Sequence, residues 1–117
     1  MDGHLELQIV DKAKALQRLD SDEELYQEVL EIFLEDTPIQ LNNLQQALSN
    51  NAINEVLRLS HSLKSAAGNI GAERLSVASF SAEKAAKNGH IEDLPHLIAS
   101  IQTEFNTLLE FLKKSGM

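Results

Sequence analysis

Apolar residues recur every three or four positions along the chain, the period of one helical face. Five helical segments are expected. Asp11 can cap a short first helix over 12–19. Ser21-Asp22-Glu23-Glu24 reads as a capping box, with Ser21 at N-cap and Glu24 at N3, opening a long second helix over 22–49. Tyr26, Val29, Leu30, Phe33, Ile39, Leu41, Leu44 and Leu48 supply its apolar material. Pro38 removes one backbone hydrogen bond and crowds the preceding turn, so a kink or a brief break is expected there. Asn50-Asn51 marks a turn. The third helix, over 52–70, ends at Gly71, and the fourth, over 72–88, ends at Gly89. Each glycine suits the left-handed position that follows a helix. The fifth, over 91–114, carries Pro95 in its first turn. Leu97, Ile98, Ile101, Phe105, Leu108 and Leu112 form its stripe. Connections of two or three residues make neighbouring helices antiparallel. The expected fold is all-α, an antiparallel up-down four-helix bundle with a short additional N-terminal helix as a lid, forming one domain over 1–117.

Composition narrows the function classes. A chain of 117 residues that is 43% hydrophobic has material for one core. No run of 18 apolar residues occurs, so no membrane insertion is expected. Met1-Asp2-Gly3-His4 does not open a signal peptide. With no cysteine there are no disulfides or thiolate metal sites, which suits a cytoplasmic protein. A net charge of −8 repels nucleic-acid backbones, and 4% aromatic residues without Trp offer no base-stacking platform. The expectation is no nucleic acid. A monomer is expected, because the apolar stripes can all be buried within one bundle.

The third helix carries the candidate chemistry. Leu59, Leu63, Ala66 and Ile70 follow the spacing of a buried stripe. At roughly 100° per residue, His61 lies about 160–200° from that stripe and points outward. Leu57, Arg58, Lys64, Ser65 and Gly68 share its face. A mid-helix glycine costs about 1 kcal/mol relative to alanine. Small residues one and two turns after His61 leave room beside the ring. Lys64, three residues on, can place an ammonium beside an anion bonded to His61. A neutral imidazole with a free nitrogen is a nucleophile near neutral pH, so the combination suits phosphoryl transfer.

Register adds a third residue. His61 lies 10 residues before Gly71 and Glu83 lies 12 after it. An antiparallel hairpin brings them to nearly equal heights, about 15 and about 18 Å from the turn. Glu83 can then accept a hydrogen bond from Nδ1–H, fixing the tautomer and leaving Nε2 free.

The run His61-Ser62-Leu63-Lys64-Ser65-Ala66-Ala67-Gly68-Asn69-Ile70-Gly71-Ala72 closely resembles the signature of histidine phosphotransfer (HPt) domains. The likeness extends over the acidic helix before it, residues 25–37, and over residues 75–89. The resemblance implies a helical bundle that relays phosphoryl groups in two-component phosphorelays. It implies that His61 carries the group and Lys64 assists. It also implies partners: response-regulator receiver domains, a hybrid histidine kinase, or both. One departure is Ser65, where the family commonly has Gly, and it bears on how closely a partner backbone approaches. The serine hydroxyl is free to bond the phosphoryl group or its own helix.

Simpler readings stand beside these. His61 alone is a solvated surface histidine, Lys64 a solubilising lysine and Glu83 an ordinary surface carboxylate. Arg58 meets acidic groups on a partner or is a plain surface charge. Leu57 is a docking contact or a bundle-edge residue. Ser65 and Gly68 are small for access or for helix packing. The acidic stretches 20–24 and 28–31 read as solvated helix surface. His4, His90 and His96 lack comparable context. Asp93-x-x-His96 is one acid-to-His spacing where a bundle di-metal site needs two and further Glu ligands, so no metal site is expected. No phosphate-binding loop or dinucleotide fingerprint is present. The chain is therefore expected to be no enzyme and to bind no cofactor of its own, the Mg²⁺ of transfer sitting on the partner receiver domain. Two alternatives remain open: a non-catalytic helical interaction module, and a P1-like substrate domain of a chemotaxis-type kinase. The initiating Met fits a free protein or a domain of a larger kinase.

Overall fold

The structure is a computed structural model that describes residues 7–116. His4 and the reading of Met1-Asp2-Gly3-His4 lie outside the described residues. The elements are α1 (Lys12–Arg18), α2 (Glu23–Ser49), α3 (Ile53–Asn69), α4 (Glu73–Lys87), a 3-10 turn (Ile91–Asp93) and α5 (Leu94–Ser115). Helices α2 to α5 form an up-down bundle in which each packs on its chain neighbours and α5 returns to α2. No strand occurs among the described residues.

The core follows the apolar stripes. Tyr26, Leu30 and Leu44 from α2 meet Val56, Leu59 and Leu63 from α3 and Ile98, Ile101 and Leu108 from α5 in one buried cluster. Phe33 and Phe105 pack edge to face, with centroids 6.3 Å apart, a favoured aromatic geometry. Three details differ from the sequence pattern. On α3 the buried stripe runs through Val56, Leu59, Ser60, Leu63 and Ala67, while Ala66 is only half-buried. Ile39 is 60% exposed, because it falls between the buried positions Thr37 and Leu41. Ser21 is not the cap of α2. Asp20 and Ser21 both hold positive φ, 54° and 60°, so Ser21 lacks the extended backbone a cap requires. Asp22 takes that role, its carboxylate accepting from the Leu25 N–H at 3.0 Å.

Pro38 does not break α2, which runs unbroken across it. The proline is on the solvent face, where the carbonyl it leaves without a helical partner, that of Leu34, can turn toward water. The neighbouring Thr37 hydroxyl donates to the Phe33 carbonyl at 2.7 Å.

The α3–α4 turn is held from three sides. Gly71 has φ +79°, a conformation cheap only for glycine. Its carbonyl accepts from the Asp11 N–H at 2.7 Å. The buried Tyr26 hydroxyl donates to the Ile70 carbonyl at 2.8 Å. The Gln8 N–H donates to Glu73 Oε1 at 3.0 Å, and the Gln8 carbonyl accepts from the Arg74 N–H at 3.2 Å. The segment leading into α1 thus covers the turn end of the α3–α4 hairpin, as a lid would. Asp11 also caps α1, accepting from the Lys14 N–H.

A Cβ on Gly71 would stand 2.3 Å from the Asp11 carbonyl oxygen, whereas one on Gly89, at the same φ, would meet nothing within 4 Å. Gly89→Ala is therefore expected to cost only the backbone term, about 1–2 kcal/mol. Gly71→Ala should cost clearly more in urea unfolding. Equal losses would show that the Asp11 contact does not constrain the turn.

Candidate functional site

Residue 61 follows the buried Ser60 on α3 and takes the opposite side of the helix from the core. Its side chain is 58% exposed. The short α3–α4 turn sets the register that brings Glu83 of α4 alongside, as residue counting requires. Glu83 Oε2 lies 2.8 Å from His61 Nδ1. Its other oxygen, Oε1, lies 3.3 Å from Lys64 Nζ. One carboxylate thus spans the imidazole and the ammonium, with a separate oxygen for each.

Glu83 is only 15% exposed. Burial pushes its carboxyl pKa up. The hydrogen bond from His61 and the ammonium of Lys64 beside Oε1 outweigh that and hold it below the usual carboxylate range. An ionised carboxylate only accepts hydrogen bonds, so Nδ1 is the donor in this contact, and in the neutral ring the lone pair is then on Nε2.

The other sequence candidates fall into distinct places. Ser65 is exposed on the His61 side of α3. Gly68 is half-buried. Its carbonyl accepts from Arg18 Nη1 at 3.2 Å, and a Cβ there would sit 3.8 Å from Ser76 Oγ. Gly68 thus lies toward α1 and α4 rather than widening the space at the imidazole. Arg58 is bound within its own helix, its Nε donating to Glu55 Oε1 at 3.1 Å and its Nη2 pairing with Oε2. Leu57 is half-buried and packs against the core. No group of three or more potential ligands gathers to hold a metal among the described residues, and none of the described helices is long and apolar enough to cross a membrane.

Two features had no clear sequence signal. Phe80, one turn before Glu83 on α4, is 41% exposed. Lys64 Nζ and Lys84 Nζ each lie 4.9 Å from its ring centroid. The Phe80–Lys84 spacing of four was visible, but the approach of Lys64 depends on the hairpin. The second feature is a groove of about 260 Å³ between α2 and α3, lined on α3 from Ser62 onward. Val29, Ile32, Phe33, Ser62, Leu63 and Ala66 contribute to its walls, and Ile32 is well exposed.

A family model described as the Hpt domain matches residues 28–111, most of the chain. The chain belongs to the Hpt family. It is a phosphohistidine carrier of a phosphorelay. Among solved structures, the histidine-containing phosphotransfer protein B of Pseudomonas aeruginosa is similar in fold. The TM-score is 0.83 at 24% identity, over 94% of this chain and 96% of that one. No curated protein matches the sequence. The Hpt fold thus accounts for the bundle, and the matched span contains His61, Lys64 and Glu83.

The lowered Glu83 pKa has a signed consequence. A carboxyl depressed on folding contributes stability in full above its unfolded value, near 4.5. That contribution is lost as the pH falls through the lower folded value. The stability gap between wild type and Glu83→Gln should therefore be widest near neutral pH. It should narrow as the pH falls below about 4.5 in chemical unfolding. A gap independent of pH would show that the carboxylate is not held ionised by its neighbours.

Proposed function

We propose that His61 Nε2 is the atom on which this Hpt chain carries the phosphoryl group. The reading rests above all on the 2.8 Å contact of Glu83 with Nδ1, which leaves the outward nitrogen as nucleophile. The Nε2 lone pair attacks phosphorus of a receiver's aspartyl phosphate in line with the leaving carboxylate. The P–O bond to the aspartate breaks as the P–Nε2 bond forms. No proton need leave the ring, because Nδ1–H is retained and the imidazole becomes cationic. The Glu83 carboxylate faces the nitrogen where that charge is shared, so it stabilises the phosphorylated ring more than the free one. This is differential stabilisation, the kind that assists transfer. Lys64, 30% exposed, supplies a cation for the phosphoryl oxygens. Return of the group to a second receiver reverses these steps.

The partners are response-regulator receiver domains, a hybrid histidine kinase, or both. The Mg²⁺ of the reaction belongs to the receiver's acidic pocket, and this chain completes the site without ATP chemistry or turnover of its own. The α2–α3 groove, lined in part by Ile32, offers apolar area on which a receiver can land. A chain with such a role works in the cytoplasm.

The direct test uses a phosphorylated receiver as donor. Acid-labile, base-stable label should appear on the wild type and be abolished in His61→Gln. Lys64→Ala should slow transfer roughly tenfold, the loss of one charge donor at an open site. Label retained in His61→Gln would overturn the assignment and favour another acceptor. Labelling by a kinase core but by no receiver would favour the P1-like substrate role.

A further inference from the structure

Lys64 extends from α3 toward α4, where it meets two groups at once. Its Nζ lies 3.3 Å from Glu83 Oε1 and 4.9 Å from the Phe80 ring centroid. Glu83 Oε1 is buried and makes no well-aligned hydrogen bond. The charge of Lys64 is therefore what offsets it. A lysine has a flexible four-carbon stem, and only added contacts hold its ammonium in one place. The face of an aromatic ring attracts an ammonium through its quadrupole. Phe80 also poses a question of its own, since a large apolar side chain left 41% exposed contributes little to the core.

We propose that Phe80 is a positioning residue for phosphoryl transfer: its ring holds the Lys64 ammonium over Glu83 and beside His61. The proposal rests on His61 being the phosphoacceptor. Phe80 and Glu83 are three residues apart on α4 and so face the same side. Together they confine Lys64 between an apolar face and a carboxylate. The ammonium is then already near when phosphorus bonds to Nε2. A ring attracts a cation without neutralising it, so Lys64 keeps its charge for the phosphoryl oxygens. A second carboxylate in that place would compete with them. The Lys84 ammonium on the same ring adds positive potential to this corner of an acidic protein.

Phosphoramidate separates this role from docking, because it is a small donor that needs no partner surface. Its P–N bond breaks as the P–Nε2 bond to His61 forms, and the nitrogen leaves as ammonia after taking a proton from water. Phe80→Leu should label about threefold more slowly than wild type, the size of an exposed cation–π contact. Phe80→Tyr, which keeps the ring, should restore the rate. In a Lys64→Ala background, Phe80→Leu should have no further effect. The Lys64 Cε protons should show an upfield ring-current shift in wild type and Phe80→Tyr that is lost in Phe80→Leu. An unchanged phosphoramidate rate in Phe80→Leu would overturn the proposal, whether or not receiver transfer falls. So would additive losses in the double variant, or no ring-current shift in wild type. Label that survives His61→Gln would instead signal failure of the phosphoacceptor reading, and it is scored separately.

Discussion

The Glu83 carboxylate between His61 and Lys64 is the interaction on which the proposed chemistry depends. It is paired with both side chains, and it comes from the other arm of the hairpin. Its placement is therefore a matter of register. A shift of α4 by one residue would rotate Glu83 by about 100° and remove it from the imidazole. The register is set at Gly71, far along the helix from the site. The Asp11 N–H, the Tyr26 hydroxyl and the Gln8 backbone all fasten that turn. The lid segment thus acts on the site through helix alignment, although its bonds are made at the turn.

Much of this was legible in the chain itself. Apolar spacing, two glycines and Pro95 located α2, α3 and α4 to within a residue, and α5 to within three, its expected first residues forming the 3-10 turn. Equal counting from Gly71 placed Glu83 against His61, because a short turn leaves an antiparallel hairpin little freedom. The errors lie where two local signals competed. Ser21 and Asp22 are both good caps, and two left-handed residues decided between them. Pro38 is a strong breaker, yet on an exposed face the loss of one hydrogen bond can be made good by water. Ile39 looked like core material by type, but its angle on the helix sends it to solvent. Ala66 and Ala67 differ by 100° on the helix, too little for a stripe of four residues to resolve. Phe80 was invisible as a functional candidate because its partner Lys64 comes from another helix.

The electrostatics of the molecule work on two scales. Overall the chain carries −8, which at long range disfavours a phosphorylated partner. Screening at physiological salt confines such effects to about 8 Å. Lys64, which pairs with Glu83 beside the imidazole, shares the Phe80 ring with Lys84. Arg58, on the same face of α3, is tied to Glu55 and adds little free charge. The local balance at the imidazole is thus more positive than the composition suggests.

That balance also sets how tightly the group can be held. A carrier that surrounded its phosphoryl group with donors would stabilise the loaded state and slow the next transfer. Here His61 is a side chain that is 58% exposed, and the ammonium of Lys64 is shared with a carboxylate. Any strengthening of Lys64's hold on the phosphoryl oxygens must weaken its pairing with Glu83, whose Oε1 is buried and otherwise unpaired. In the proposed role the loaded state is therefore restrained by the same carboxylate that orients the ring to receive the group. Such a compromise suits transfer in both directions, because neither the free nor the phosphorylated imidazole collects all of the available stabilisation.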